Sequence, residues 1–171
     1  VQGNLALSYW QTGDQQKAKA TYEKLSASYL ARNLYTDAEV SINNLAYLYF
    51  YDKNYEKAAT YFNRAVEITE QARKNLKSED RVAFFQGKLS AYQGLIYSLA
   101  KQNKAEKVFA IQQQDRARVL LENLIPVGGT NPVSLNEFQS SLASDEVAVF
   151  YSLFGAGEVV ITTVSNNSIN V

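Results

Sequence analysis

The chain has 171 residues, with 17 Lys plus Arg balanced by 17 Asp plus Glu, and it has no His, Cys or Met. Zero net charge provides no general attraction to nucleic acid or to an anionic membrane. Without Cys and His, the chain lacks thiolate nucleophiles, the commonest general base and the commonest metal ligand. We therefore expect neither an enzyme nor a cofactor. The lack of a long apolar run and of a signal peptide predicts a cytoplasmic protein, and the lack of an initiating Met predicts a piece of a longer one.

Helical spacing of apolar residues predicts six helices before residue 125. The first ends near Thr12. Asp14 has the chemistry of an N-cap for the second helix, which we expect to end near Arg32. Thr36 with Glu39 three residues later forms a capping-box pattern, which predicts that the third helix begins at Thr36.

The next three helices follow the same signals. Asn54 is a predicted N-cap for a fourth helix that runs to about Leu76. Acidic residues favour a helix N-terminus, so Ser78–Asp80 predicts the start of the fifth. Gln102–Asn103 predicts a turn, and the sixth helix ends near Leu124.

The composition changes after the sixth helix. Both prolines lie in Pro126–Pro132, which predicts a linker over 126–133 between a helical domain, 1–125, and a second piece, 134–171. Ser134 and Glu137 form another capping box, which predicts a short helix ending near Leu142. Alternating and β-branched residues then predict strands over 146–154, 158–165 and 168–171, the first two forming a hairpin.

The helical part repeats itself. Two copies lie at a constant offset of 40 residues, which pairs Leu5 with Leu45, Ala6 with Ala46, Tyr9 with Tyr49, Ala18 with Ala58, and Tyr22 with Phe62. A constant offset predicts equal surroundings for the two members of each pair. A degenerate third copy covers Tyr92–Asn103, with Leu95 aligned to Leu45 and Val108 aligned to Ala58. Single helical hairpins leave apolar surface uncovered, so the copies should stack.

This pattern resembles the tetratricopeptide repeat, in which a Leu-Gly/Ala pair, an aromatic residue, a turn Gly, an Ala and an aromatic residue follow in order. Gly13 matches the turn Gly, whereas the second copy has Lys53 there. The resemblance implies a mainly α fold. We expect a right-handed α-solenoid of about three hairpins, followed by a short helix and a small three-stranded β piece.

In tetratricopeptide families the first helix of each hairpin lines a concave groove that binds peptides. By this resemblance, the groove residues are Asn4, Leu7, Trp10, Gln11, Asn43, Asn44, Tyr47, Phe50, Tyr51, Gln93, Tyr97 and Lys101. An Asn side chain can donate to and accept from a peptide backbone, and aromatic residues are frequent interface hot spots. The alternative is that these residues only pack against neighbouring helices or a segment of the same protein.

A second resemblance concerns the C-terminal part. The stretch Asp115–Val119 is similar to the Glu-Arg-Ala-Arg-Ala of the last repeat before a CHAT domain, a caspase-like domain. The short helix and two strands that follow are also similar to the start of that domain. The catalytic His and Cys of the family lie further along, and neither residue type occurs here, so no peptidase role falls on any residue of this chain.

The leading interpretation is a scaffold that recruits a protein or peptide to a downstream caspase-like domain. The alternative is a structural cap that packs on that domain and inhibits it without an external ligand. The partners expected are therefore a protein or peptide and the downstream CHAT domain, with no nucleic acid and no membrane. The strand edge near Val171 also predicts a dimer, because unpaired edges pair with other strands.

Overall fold

A computed structural model describes residues 2–74, 88–124, 133–155 and 157–171. Its helices are α1 (Gln2–Gln11), α2 (Gln15–Ala31), α3 (Tyr35–Tyr51), α4 (Tyr55–Lys74), α5 (Leu89–Ala100), α6 (Ala105–Leu124) and α7 (Leu135–Ser140). Its strands are β1 (Val147–Phe154), β2 (Glu158–Ser165) and β3 (Ile169–Asn170), which form one antiparallel sheet of order β1-β2-β3. The predicted fold class, mainly α with a small three-stranded sheet at the C-terminus, is confirmed.

The described chain divides into two compact units, residues 1–94 and residues 95–171, with the division inside α5. Three predictions lie outside the described residues. They are the end of the fourth helix near Leu76, the helix start at Ser78–Asp80, and nearly all of the linker over 126–133. The domain boundary expected there stays a prediction.

Four helix-to-helix turns share one backbone geometry. Each contains a residue with positive φ, namely Gly13 at 84°, Asn33 at 57°, Lys53 at 59° and Asn103 at 54°. In each turn the next amide donates to a carbonyl five residues earlier, as from Asp14 to Tyr9 at 2.8 Å and from Asn54 to Tyr49 at 2.9 Å. These bonds satisfy carbonyls that a helix end would otherwise leave unpaired.

Three predicted helix starts are confirmed. The Asp14 side chain accepts a hydrogen bond from the Lys17 amide at 3.2 Å, and Asn54 Oδ1 accepts one from the Lys57 amide at 3.1 Å. The capping box of Ser134 and Glu137 is present in both directions.

The predicted capping box at Thr36 is wrong. Helix α3 begins at Tyr35, and its N-cap is Leu34, which makes no side-chain capping bond. The turn at Asn33 sets this start, because the turn hydrogen bonds put Leu34 in the N-cap position. The Glu39 side chain does not cap the N-terminus of α3. Its carboxylate pairs with the Lys88 ammonium and is almost fully buried.

Small residues lie where helices of unit 1 meet. Ala6 and Ala46 are completely buried, as are Ala18 and Ala58. Tyr22 and Phe62 are also buried, so both members of these three pairs have similar burial. The equal surroundings expected for Leu5 and Leu45 are not found, because Leu5 is 47% exposed and Leu45 is 0% exposed. The reason is that α3 packs on both α2 and α4, whereas α1 packs chiefly on α2.

Helix α5 begins against α3 and α4. The backbone at Gly94 passes so close to Phe62 that a β-carbon there would lie 2.4 Å from Cζ of the ring. The Asn43 amide donates to Ser90 Oγ at 3.1 Å, which ties α3 to the first turn of α5. Glycine is therefore required where the degenerate third copy meets the second.

Unit 2 has its own core. One face of the sheet packs on helices through three phenylalanines: the Phe109 ring lies 5.3 Å from that of Phe138 and 5.5 Å from that of Phe150. Gln112, which aligns with Phe62 in the repeat, is buried and donates to Ser152 Oγ at 2.9 Å. The third copy thus replaces an aromatic contact with a polar contact to the sheet.

Lys53→Gly should stabilise the protein by about 1 kcal/mol, because a non-glycine residue in the left-handed region is strained by its β-carbon. Urea unfolding measures the change. Asn103→Gly is the matched control, since Asn103 is also exposed at positive φ but Asn tolerates that conformation better. A Lys53→Gly gain no larger than that of the control would contradict this account of the turn.

Gly94→Ala should lower the free energy of unfolding by about 1–3 kcal/mol, the usual cost of forcing extra volume into a packed site. Gly3→Ala is the control, because a β-carbon at Gly3 meets nothing within 4 Å and Ala is the better helix former. Thermal and urea unfolding of both variants would test this, and a neutral Gly94→Ala would show that Phe62 can move aside.

Candidate functional site

A cavity of about 230 Å³ opens in unit 1. We call it the aromatic groove; its lining residues are Leu7, Trp10, Tyr22, Asn44, Tyr47, Leu48 and Tyr51. Helix α1 contributes the first two and α3 the last four, so the first helices of two successive hairpins form its walls. The structure brings together five of the predicted groove residues: Leu7, Trp10, Asn44, Tyr47 and Tyr51.

Stacked rings form the rim of the aromatic groove. Trp10 stacks on Tyr51 with ring centroids 5.4 Å apart and planes inclined by 24°. Tyr47 stacks on the same Tyr51 at 6.2 Å and 30°. Trp10 is 36% exposed and Tyr51 is 57% exposed, so much aromatic surface faces solvent. Each ring holds the next in place, which lowers the entropy cost of using them as contact surface.

Asn44 and Tyr22 both line the aromatic groove. Burial raises the pKa of the Tyr22 phenol above its ordinary value, and a side-chain hydrogen bond with Asn44 offsets part of this rise. An amide has two N–H donors and a carbonyl oxygen with two lone pairs. Asn44 therefore has hydrogen-bonding capacity beyond this one contact.

Tyr47 connects the aromatic groove to the core. Its hydroxyl donates to the Ser90 carbonyl oxygen at 3.4 Å, and its ring meets the Phe62 ring at 5.0 Å with nearly perpendicular planes. Burial, and to a lesser extent the nearby Tyr51, raises the pKa of the Tyr47 phenol. The neutral phenol is thus the form that the folded protein favours.

Five predicted residues do not line the aromatic groove. Asn4 and Gln11 are exposed on α1, and Gln93 is half-buried on α5. Phe50 packs edge-on against Tyr47, Tyr51 and Tyr55. Asn43 donates to Ser90, and its Oδ1 has no hydrogen-bond partner among the described residues.

The remaining two predicted residues, Tyr97 and Lys101, belong to unit 2. The Tyr97 hydroxyl donates to Glu158 Oε1 at 2.8 Å, and its ring stacks on Phe154 at 4.6 Å. Lys101 Nζ lies 5.0 Å from the centroid of the Tyr97 ring. Both side chains therefore contact their own unit, and their role in a groove stays a prediction.

Two lining residues, Tyr22 and Leu48, were not among the predicted groove residues. Tyr22 was only paired with Phe62 as a member of the repeat. The signal was the extra hydroxyl, because a buried phenol needs a hydrogen-bond partner. Leu48 follows Tyr47 in α3, and its apolar side chain gave no indication in the sequence that it lines a groove.

The aromatic groove contains no charged side chain. Within the described ranges of the chain, no three His, Cys, Asp or Glu side chains lie close enough together to hold a metal ion. The groove can therefore supply apolar surface, phenol and indole donors and one amide, but no formal charge.

Tyr47→Phe should flatten the loss of stability at alkaline pH. Because the folded-state pKa of Tyr47 is raised above an unfolded value of about 10, its stabilising effect is complete below that pH. It is lost as the pH rises through the folded pKa. Melting temperatures from about pH 9 to 11.5 would show it, with Tyr151→Phe, which removes an exposed phenol, as control. Parallel profiles for wild type and Tyr47→Phe would be inconsistent with the buried phenol.

Two family models match the chain, and both describe the tetratricopeptide repeat; they cover residues 1–27 and 41–72. Comparison with curated proteins and with solved structures gave no significant match. The matches do not extend to the stretch that resembles the approach to a CHAT domain, and the side chains of 115–119 lie outside the described residues.

No helix in the described ranges is long and apolar enough to cross a membrane. Residues 1–27 and 41–72 therefore each match a tetratricopeptide repeat, a repeat associated with protein–protein interaction.

Proposed function

We propose that the aromatic groove binds an extended segment of a partner protein. The observation that carries this proposal is the stack of the exposed Trp10 and Tyr51 with the half-buried Tyr47 between the first helices of two hairpins. Trp and Tyr are the residue types most enriched among interface hot spots. Their exposure at the mouth of a cavity, rather than inside the core, favours contact with a partner over internal packing.

The size of the cavity indicates how much of the partner enters. Pockets that enclose a drug-sized ligand measure about 300–1,000 Å³, and the aromatic groove measures about 230 Å³. It is therefore suited to one anchoring side chain rather than a whole small molecule. The rest of the segment would lie along α1 and α3, where Asn44 can exchange hydrogen bonds with its backbone.

The absence of charged residues in the groove limits which side chain of the partner can serve as the anchor. With no Lys or Arg among the seven lining residues, no opposite charge compensates the desolvation of a carboxylate or phosphate. A buried ammonium would likewise find no carboxylate there. An uncharged apolar or aromatic side chain is the anchor that this lining favours.

The proposed peptide binding would have a role in a larger protein. We infer that the module recruits its partner to a caspase-like domain in a cytoplasmic parent protein; the support is the resemblance at Asp115–Val119 and in 134–171. The competing proposal, a cap that packs on such a domain and inhibits it, needs no external ligand. Peptide binding by the chain itself favours recruitment, and its absence favours the cap.

Selection from a random phage-displayed peptide library against the immobilised chain would test the groove. Trp10 is the only tryptophan, so its fluorescence reports binding directly. We expect selected peptides to share an apolar or aromatic anchor and to bind Tyr51→Ala at least tenfold more weakly, about 1.4 kcal/mol. For variants whose tryptophan emission is changed by the substitution, isothermal titration calorimetry would measure the affinity instead.

The matched control is Tyr151→Ala. Tyr151 is 58% exposed, close to the 57% of Tyr51, but it lies on β1. Its replacement should leave the affinity unchanged. The proposal fails if no peptide is enriched over a Tyr51→Ala background, or if both variants weaken binding equally.

A further inference from the structure

The aromatic groove has hydrogen-bond donors that the described residues do not use. Trp10 and Tyr51 stack on each other, but within the described ranges neither the indole N–H nor the phenol O–H has a hydrogen-bond partner. Asn44 also lines the groove, and its amide carries two N–H donors. The groove therefore offers donors of three kinds, an indole, a phenol and an amide, to a bound segment.

Acceptors are scarce in the same lining. The seven lining residues include no carboxylate, and their only side-chain carbonyl is that of Asn44. Both walls of the groove are helices, so no sheet edge supplies backbone acceptors. An ordinary extended peptide has an N–H at every residue, and burial of an N–H against aromatic rings without an acceptor costs free energy. The lining thus favours a segment that presents carbonyl groups but few N–H groups.

Proline is the residue with this hydrogen-bonding character. It has no backbone N–H, its carbonyl still accepts, and its side chain is apolar and uncharged. Proline-rich segments adopt the extended polyproline II helix, which has no internal hydrogen bonds and therefore leaves its carbonyls available. Because this helix exists before binding, a proline-rich segment loses less entropy in a groove than a flexible peptide does.

We infer that the segment bound by the aromatic groove is proline-rich and binds as a polyproline II helix. This inference rests on the proposed function, because it specifies the partner segment that the groove binds. One prolyl ring enters the cavity of about 230 Å³, and prolyl carbonyls accept hydrogen bonds from the Trp10 indole and the Tyr51 hydroxyl. The uncharged lining matches the uncharged ligand, and aromatic-lined grooves are a general docking surface for proline-rich segments.

The spacing of the rings allows contact with more than one proline. A polyproline II helix has three residues per turn, so every third side chain lies on the same face, about 9 Å further along the axis. Tyr51 stacks with Trp10 at 5.4 Å and with Tyr47 at 6.2 Å. One turn of the helix is longer than either separation, so prolines three residues apart contact different rings of the stack.

Acetyl-hexaproline-amide is the probe, because prolyl rings cover every face of its helix and no register has to be assumed. Trp10 is the only tryptophan, so its indole N–H gives a single resonance in ¹⁵N–¹H spectra, and we expect the probe to shift it. The matched control is the same peptide made of D-proline. It should bind at least about tenfold more weakly, because the mirror-image helix presents its rings and carbonyls in the wrong arrangement.

Protein variants separate the ring of Tyr51 from its hydroxyl. Tyr51→Phe keeps the ring and should weaken hexaproline binding by about two- to tenfold, the value of one hydrogen bond. Tyr51→Ala removes both groups and should weaken binding further. Tyr151→Phe and Tyr151→Ala, on β1, are the controls and should leave the affinity unchanged. Because the L- and D-peptides are compared on the wild-type chain, the test does not depend on the folding of a variant.

The outcomes distinguish this inference from the proposed function. If selected peptides bind in a Tyr51-dependent manner while millimolar L-hexaproline leaves the Trp10 indole resonance unchanged, the inference fails and the proposed function stands. Equal binding of the L- and D-peptides would also overturn the inference, since it would indicate apolar association without recognition of the helix. If neither the selected peptides nor hexaproline bind, both proposals fail.

Discussion

The arrangement of unit 1 depends on helices that meet through alanine. Ala18, Ala38 and Ala58 are each completely buried, and each donates its amide to the N-cap carbonyl four residues earlier. The turns before them each have a positive φ, at positions 13, 33 and 53. A helix and its turn thus recur every twenty residues, half of the offset seen between aligned copies. A methyl group at each contact allows the next helix to pack closely, because a larger side chain would have to displace it.

The aromatic groove follows from this architecture. In unit 1, regular packing places α1 and α3 so that Trp10, Tyr47 and Tyr51 stack around a cavity without charges. That surface would bind a side chain of the partner protein.

Local signals in the sequence predicted most of the fold, and tertiary context decided the rest. Asp14 and Asn54 acted as expected because an N-cap needs only its own next turn. Thr36 did not, because the preceding turn fixed the start of α3. Leu5 differs from Leu45 because burial depends on the helices on both sides. In the aromatic groove, five predicted residues meet, but Tyr97 and Lys101 contact residues of unit 2, which periodicity in α5 alone could not reveal.

Urea unfolding of Ala38→Leu and Val40→Leu is the most direct test of the alanine contacts. The two residues lie two positions apart in α3, but Ala38 is 0% exposed and Val40 is 47% exposed. If close packing at the alanines holds the helices in register, Ala38→Leu should lose about 1–3 kcal/mol of unfolding free energy, while Val40→Leu stays within about 0.5 kcal/mol of wild type. Equal stability of the two variants would contradict the account.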